Sequence, residues 1–324
     1  MKTVEQKRQL LESYICSLDY SHEPESLYAP INYSLSLGGK RLRPLLLMMA
    51  YCMYGDRVEE ILDVASGIEI FHNFTLLHDD VMDKADIRRG KPSVRKKWND
   101  NVAILSGDAM FALSYRYIVK CSVDKLPKLL EIVNNTFIGI TEGQQYDMEF
   151  EMRDNVREDE YMEMIRLKTS ILIAASLKIG ALLGGATEDD MHNLYLFGEK
   201  IGAIFQLQDD LLDVFGDPNL FGKKIGGDIL CEKKTYLYIN ARLLANEQQQ
   251  SELNRWSVYN GPDKHAKIAA VTSIFRTLKI KELCEQKIDT LFIEAIRYLD
   301  MVSVKESLKT ELKEFVCSLI NRQI

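Results

Sequence analysis

The sequence predicts an all-α protein, and three observations support this prediction. Apolar residues recur at helical spacing from Val4 to Leu18 and in most of the segments that follow. We find no stretch of useful length that alternates apolar and polar residues, as a strand would. No linker rich in proline, glycine and serine divides the 324 residues, so a single domain over residues 1–324 is expected.

Prolines and glycines set the boundaries of the predicted helices. Pro24 restricts the residue before it and ends the first helix. Gly38 and Gly39 permit a tight turn after the second helix, and Pro44 opens a third that is too apolar for a surface position. The predicted helices comprise Val4–Leu18, Glu25–Leu37, Leu45–Tyr54, the segment up to Asp83, Asn101–Val119, Leu126–Phe150, Glu158–Gly180 and the segment around Asp209, with a loop at Lys91–Val94.

Composition excludes several classes of protein. The net charge of −7 gives no reason to expect nucleic acid as a partner. The sequence shows neither a signal-peptide pattern nor a run of 18 apolar residues, so we expect a cytoplasmic protein with no membrane span. The six cysteines lack CxxC spacing, which fits free thiols better than disulfides or zinc ligands.

An acidic motif indicates a metal site. In a helix, Asp79 and Asp83 share a face about one turn apart, with Asp80 beside them. Clustered carboxylates repel one another and are costly unless a cation joins them. Magnesium suits oxygen ligands and usually fills its other positions with water and substrate phosphate. The motif therefore predicts a phosphorylated substrate.

A second copy of the motif strengthens this prediction. Asp209, Asp210 and Asp213 repeat the spacing on an otherwise apolar helix pattern, and we expect the two copies to form one metal-diphosphate site. Arg88 and Arg89 follow the first copy, and guanidinium groups match phosphate oxygens bidentately.

Three further basic segments are candidates for anion binding. Lys40, Arg41 and Arg43 precede a buried helix; such clusters are more often solvated turns, but this position favours a phosphate clamp. Lys168 lies between apolar turns and is either snorkelling or paired. The glycine-bearing loop 221–236 carries four lysines and is predicted to close over an anion.

Six motifs, in order, closely resemble those of the trans-isoprenyl diphosphate synthases, the short-chain polyprenyl synthetase family. They are GGKRLRP, LLHDDVMDKADIRRGKP, GQQYD, LKTS, FQLQDDLLD and GKKIGGDILCEKKT, between Leu37 and Tyr236. The resemblance implies one polyprenyl synthetase domain, an all-α bundle around a deep central cavity, and normally a homodimer. It also implies head-to-tail condensation of an allylic diphosphate with isopentenyl diphosphate.

The resemblance assigns roles at the allylic diphosphate. It implies about three magnesium ions, with Asp79, Asp83 and Asp209 as their main ligands. It gives supporting roles, through water or neighbouring groups, to Asp80, Asp210 and Asp213. It implies that the same diphosphate is also held by Arg88, Lys168, Lys224 and Lys233. Thr169 and Gln206 would steady the allylic cation, and the departing diphosphate would accept the final proton.

Isopentenyl diphosphate is implied to bind without a metal. The matching positions are Lys40, Arg43, His72 and Arg89. A single histidine among apolar neighbours is more often a packed core residue, so only the resemblance favours His72 as a ligand. Gln144 and Asp147 are interpreted as orienting Lys168 or the metals.

Product length is predicted from the residues before Asp79. By the resemblance, a bulky residue five positions earlier, here Phe74, forms a floor for the growing chain, with Thr75 beside it. Helix geometry puts Phe74 about 140° around from Asp79 and favours Phe71, one turn deeper. Aromatic packing in the core is a competing explanation for these residues. We expect a twenty-carbon product, geranylgeranyl diphosphate, with the fifteen-carbon farnesyl product as runner-up.

Two other functions are less favoured. A class I terpene cyclase also uses a DDxxD motif, but it lacks a second substrate's clamp and usually carries a mixed Asn/Ser/Glu second motif. A non-catalytic subunit of a heteromeric synthase typically loses the acidic motifs, and this chain keeps both.

Overall fold

The computed structural model describes residues 2–216, 225–259 and 261–321, and helices dominate this part of the chain. The helices are α1 (Val4–Ser17), α2 (Glu25–Ser36), α3 (Leu42–Cys52), α4 (Leu62–Met82), α5 (Val94–Lys97), α6 (Asp100–Ile118), α7 (Leu126–Glu151), α8 (Glu158–Ile165), α9 (Ile171–Gly184), α10 (Glu188–Phe215), α11 (Gly227–Leu230), α12 (Tyr236–Leu244), α13 (Glu247–Ser257), α14 (Lys264–Thr277), α15 (Ile280–Asp300) and α16 (Glu306–Asn321). A 3-10 turn covers Val58–Ile61, and a π-helical turn, Arg166–Ser170, joins α8 to α9. The all-α prediction is confirmed.

The predicted loop at Lys91–Val94 is wrong in one detail. Strand β1 (Ile87–Arg88) pairs antiparallel with β2 (Lys91–Pro92). Arg89 and Gly90, the two residues between them, both have positive φ angles, 53° and 74°. Two consecutive positive φ angles are what a type I′ hairpin turn requires. Strands of two residues are too short to show alternation in the sequence, which is why the ladder was not predictable.

The chain divides into two compact units. The first contains Met1–Val133, Ser176–Leu194 and Ser303–Phe315, and the second contains Asn134–Ala175, Tyr195–Val302 and Val316–Ile324. A single domain over residues 1–324 stays a prediction.

Helix α4 lies in the core of the first unit, where most of its residues from Leu62 to Phe71 are buried. A Cβ atom built on Gly67 would lie 2.8 Å from the carbonyl oxygen of Ser114, so α4 and α6 approach closely at this glycine. Helix α3 is buried from Pro44 to Cys52, as its apolar composition predicts.

In the second unit, two glycines allow helices to close on the π-helical turn. A Cβ on Gly143 of α7 would lie 2.3 Å from the backbone nitrogen of Lys168. A Cβ on Gly202 of α10 would lie 2.4 Å from the Cα of Ser170. Since no side chain fits at either position, both helices pack directly against the turn that carries Lys168 and Thr169.

Among the described residues, one helical stretch, Glu158–Gly184, is long and apolar enough to cross a membrane. Within its most apolar window, 72% is buried inside the protein. Core helices of globular proteins meet the same criteria, and this burial identifies the stretch as a core helix.

Candidate active site

The first acidic motif lies at the carboxyl end of α4. Asp83 caps the helix, and its backbone N–H donates to the carbonyl oxygen of Asp79 at 2.8 Å. Asp79 and Asp83 are therefore one turn apart, as predicted. The helix dipole concentrates partial negative charge at this end, so it adds to the repulsion among the carboxylates. A cation bound here would relieve both effects.

Arg88 in the hairpin partly neutralises this motif. Its Nε and Nη2 atoms donate to Oδ1 of Asp80 at 3.0 and 2.5 Å, and Nη2 lies 3.6 Å from Oδ2 of Asp79. Asp80 is buried, and burial raises the pKa of its carboxyl group although the guanidinium acts in the opposite direction. Asp83 is exposed and Asp79 is half-buried, so these two carboxylates are the more accessible ones.

The second motif lies in the last turns of α10. Asp213 accepts hydrogen bonds from the backbone nitrogens of Gly227 and Asp228, at 3.1 and 2.9 Å, and so anchors the start of α11. Burial and the Asp228 carboxylate raise the pKa of Asp210 to about 8. Burial and the Asp213 carboxylate raise the pKa of Asp228 to about 7. This cluster also gathers negative charge at a negative helix end.

A cleft in the second unit brings most of the predicted residues of that unit together. Its wall includes Asp209, Asp210, Lys168, Thr169, Gln206 and Lys233, together with Asp228 and Lys234 of the predicted anion-binding loop. It also includes Tyr161, which the sequence did not single out. Lys224 lies outside the described residues. Lys233 also donates its backbone N–H to the carbonyl oxygen of Asp228 at 3.0 Å.

Lys168 is paired, which resolves one of the alternatives. Its Nζ lies 2.5 Å from Oδ2 of Asp147 on α7. The Nε2 atom of Gln144 is buried without a hydrogen-bond partner among the described residues.

Thr169 and Gln206 form a directed hydrogen-bond chain that ends on Asp210. The Thr169 hydroxyl donates to Oε1 of Gln206 at 3.1 Å, and Nε2 of Gln206 donates to Oδ1 of Asp210 at 3.2 Å. The Tyr161 hydroxyl donates to Oδ2 of the same carboxylate at 2.5 Å. Burial and the Asp210 carboxylate raise the pKa of Tyr161 well above its usual value, so the phenol keeps its proton and acts as the donor.

In the first unit, three of the four residues expected to bind isopentenyl diphosphate are in contact with one another or with the Gly38-Gly39 loop. Nη1 of Arg43 lies 3.0 Å from Nε2 of His72. Arg89 donates to the carbonyl oxygen of Gly38, and its guanidinium packs so closely on Gly39 that a Cβ there would lie 2.9 Å from Cζ. Lys40, the fourth residue, is exposed on the same loop.

The protonation state of His72 follows from this contact. A guanidinium has only donors, so Nε2 must accept and the imidazole must be neutral. Burial and the neighbouring Arg43 and Arg89 lower the pKa of His72 well below its usual value, in agreement. Burial also lowers the pKa of Arg43 to about 10, and its Nε has no hydrogen-bond partner among the described residues. The cluster therefore carries concentrated positive charge suited to an anion.

Arg41 does not belong to this cluster, contrary to the sequence interpretation. It is buried and donates to Glu12 at 2.9 Å, to Glu69 at 2.7 Å and to the carbonyl oxygen of Leu35 at 2.8 Å. Its partners lie up to 29 positions away, so the local sequence could not distinguish this structural ion pair from a ligand site.

Aromatic rings surround the predicted chain-length residues. The rings of Phe71 and Phe74 have centroids 5.4 Å apart, and Phe111 on α6 lies 6.2 and 5.4 Å from them. Tyr115 extends the cluster, 5.3 Å from Phe111. The Thr75 hydroxyl donates to the carbonyl oxygen of His72 within the same helix, at 2.8 Å. Phe111 and Tyr115 were missed because they lie outside the motifs.

The donor set of both acidic motifs fits magnesium. All candidate ligands are carboxylate oxygens at strongly negative positions, the type that magnesium prefers. Across the described ranges, no three carboxylate, imidazole or thiol groups converge closely enough to hold an ion by themselves. Magnesium bound here would thus complete its shell with water and substrate oxygens, as it usually does.

Comparison with known proteins identifies the family. Residues 24–275 match the model of the polyprenyl synthetase family. The chain belongs to this family. It is 43% identical over 220 residues to a geranylgeranyl diphosphate synthase of Methanosarcina mazei. The alignment covers 67% of this chain and 68% of that relative.

Solved structures agree with this assignment. A crystal structure of a geranylgeranyl pyrophosphate synthase superposes with a TM-score of 0.95 at 39% identity and covers 100% of both chains. The geranylgeranyl pyrophosphate synthase of Corynebacterium glutamicum, complexed with isoprenyl diphosphate and magnesium, gives a TM-score of 0.82 at 27% identity, covering 97% of this chain and 95% of that one.

Proposed function

We propose that the protein is a short-chain trans-prenyltransferase that condenses isopentenyl diphosphate with an allylic diphosphate to make geranylgeranyl diphosphate. The observation that carries this proposal is the separation of two kinds of charge. Carboxylates gather at the carboxyl ends of α4 and α10, whereas Arg43, neutral His72 and Arg89 form a cluster without a carboxylate ligand set. Membership of the family and the names of the relatives support it.

Asp79, Asp83 and Asp209 would hold magnesium, with about three ions bound per site, and the metal would neutralise charge on the departing allylic diphosphate. Arg88, held against Asp80, adds a guanidinium on the side of the first motif. Lys168 and Lys233 supply ammonium groups from the cleft of the second unit, and Lys224 is assigned to the same task by the family likeness. Together these residues would bind the diphosphate of the allylic substrate, which is the leaving group of the reaction.

Isopentenyl diphosphate would bind to Arg43, Arg89 and Lys40 directly. This diphosphate stays intact during the reaction, so it needs positioning and no metal-assisted departure. Neutral His72 contributes by accepting the hydrogen bond that fixes Arg43. A neutral imidazole also adds no further positive charge to the cluster.

Thr169 and Gln206 would stabilise the allylic cation with oxygen lone pairs and the amide dipole. The double bond of isopentenyl diphosphate attacks the cation, a new carbon–carbon bond forms, and one proton leaves for the departed diphosphate. The chain therefore positions reactants and charges, and no side chain is assigned as general base.

Product length would be set by the aromatic cluster. Phe71 is buried, while Phe74 is half-buried and Phe111 is partly exposed, so the rings of α4 and α6 together form the floor. A floor of several rings fits a product no longer than twenty carbons.

We further propose a cytoplasmic homodimer built on α6. The exposed apolar residues Ile104 and Phe111 are seven positions apart on this helix, and exposed Leu105 lies fourteen positions before Val119, the C-cap of the helix, which makes an apolar stripe. Such a stripe on a globular protein marks an interface. All six cysteines are thiols, which suits a reducing compartment. Sedimentation of the wild type and of Leu105→Glu tests the dimer, and the variant should sediment as a monomer.

One assay tests the reaction. Purified protein is incubated with magnesium, radiolabelled isopentenyl diphosphate and the five-, ten- or fifteen-carbon allylic diphosphate, and the dephosphorylated products are sized. A twenty-carbon product is expected from each. A fifteen-carbon end product would favour the farnesyl alternative. Cyclic products that form from a longer allylic diphosphate and contain no label from isopentenyl diphosphate would indicate a cyclase.

A further inference from the structure

We propose that Tyr161, which lies outside every motif, is a positioning residue that orients Gln206 and Thr169 through the carboxylate of Asp210. This inference rests on the proposed function. Tyr161 and Asp210 are both about 98% buried, and their oxygens are 2.5 Å apart. This is a short hydrogen bond between two buried side chains.

The hydrogen bonds of the chain all run in one direction, towards Asp210. Asp210 accepts at both oxygens, one bond from Tyr161 and one from Gln206. The Gln206 amide must therefore present its nitrogen to Asp210 and its oxygen to Thr169. The Thr169 hydroxyl uses its proton on that oxygen, so its lone pairs remain for a positive charge in the cleft.

Removal of the Tyr161 hydroxyl would weaken the constraint on the orientation of Gln206 and Thr169. The Asp210 carboxylate would lose one of its two donors and could rotate about its side chain. The Gln206 amide could then turn its N–H groups towards Thr169, which would place positive hydrogen atoms beside the site of the cation. Such a change penalises the transition state and leaves the bound substrates unaffected.

The matched pair Tyr161→Phe and Tyr236→Phe tests this inference. Tyr236 lies in the same unit and is buried to nearly the same extent as Tyr161. Both substitutions remove only the phenol hydroxyl. Tyr161→Phe should lower kcat about ten- to a hundredfold and leave both KM values within about twofold, whereas Tyr236→Phe should leave kcat unchanged. Thermal unfolding reports whether each variant is folded, and Tyr161→Met provides a second variant that fills the space without a hydroxyl.

Two binding probes separate this inference from the proposed function. One is an allylic analogue with a protonated amine at the cationic carbon, bound with magnesium and inorganic diphosphate. The other is the uncharged thiolodiphosphate analogue of the allylic substrate. Tyr161→Phe should weaken the amine by about tenfold and change the affinity for the thiolodiphosphate by less than about twofold.

The outcomes are distinct. If kcat is unchanged, or if both probes weaken equally, Tyr161 has only a structural role. If the wild type forms no product, the proposed function fails, and the two dissociation constants still decide whether Tyr161 orients groups towards a cation. In a Gln206→Met background, Tyr161→Phe should have little further effect on either readout, since the chain is already broken.

Discussion

Replacement of Arg43 by alanine should raise KM for isopentenyl diphosphate far more than KM for the allylic diphosphate. Arg43 is half-buried beside neutral His72, and its buried Nε has no partner among the described residues, so a bound diphosphate would receive well-oriented donors. A hydrogen bond to a charged group contributes about 1.5–3 kcal/mol. At about 1.4 kcal/mol per factor of ten, KM should rise about 10- to 150-fold.

Two exposed lysines serve as comparisons for Arg43, namely Lys40 within the cluster and Lys96 outside it. Lys40 is exposed on the same loop, where a charge pair contributes about 0.2–1 kcal/mol, so Lys40→Ala should raise KM by at most about fivefold. Lys96 is an exposed lysine that lies 3.2 Å from Asp86, and Lys96→Ala removes the same charge away from the cluster without an expected effect. Initial rates are measured with each substrate varied while the other is saturating, and circular dichroism checks the helix content.

Equal increases in the two KM values would refute the assignment of Arg43 to the metal-free site. A larger effect of Lys40→Ala than of Arg43→Ala would refute the argument that burial sets the strength of the contact. An effect of Lys96→Ala as large as either would show that net charge, and no specific contact, controls binding.

The remaining predictions concern the metal ligands, the neutral histidine His72 and the chain-length floor. Asp79→Ala or Asp209→Ala should lower turnover by orders of magnitude while the variant stays folded, as should a chelator; a variant that kept more than about a tenth of the rate would contradict the metal site. At a pH below the usual pKa of histidine, His72 gains a proton only when the protein unfolds, because folding lowers its pKa. The contribution of His72 to stability should therefore fall with decreasing pH, and between pH 7.5 and 5.5 the wild type should lose about 1.4 kcal/mol relative to His72→Gln. The raised pKa values of Asp210 and Asp228 act in the opposite direction, but equally in both proteins, so the difference between the two isolates His72. Urea unfolding at both pH values measures this, and exposed His265, replaced by glutamine, is the control. Phe74→Ala should lengthen the product by at least one isoprene unit when products are sized, and an unchanged product would remove Phe74 from the floor.

Helix boundaries were predictable where the signal is local. Helices α1 and α2 begin at the predicted residues, Val4 and Glu25. The π-helical turn was not predictable, because it depends on α7 and α10 packing at Gly143 and Gly202. Neither glycine is near the turn in sequence.

The same distinction applies to the site. Carboxylate spacing within four residues is visible in a sequence, so the two acidic motifs were found directly. Arg41 and Arg43 look equivalent there, and only tertiary contacts show that one lies between Glu12 and Glu69 while the other contacts His72. Residues that act through another group, as we propose for Tyr161, have no motif of their own.

Each charged cluster has the same sign as the helix end on which it lies. The acidic motifs occupy the carboxyl ends of α4 and α10, where the dipole is negative, and Arg43 lies in the first turn of α3, where the dipole is positive. These placements each cost about 0.3–1 kcal/mol per charge, the reverse of the usual stabilising arrangement. A ligand of opposite charge therefore gains from the side chains and from the helix together. On this argument the acidic ends select cations, which then bind the departing diphosphate, while the arginine cluster selects an anion without a metal. The two diphosphates are thereby distinguished by which helix end they meet.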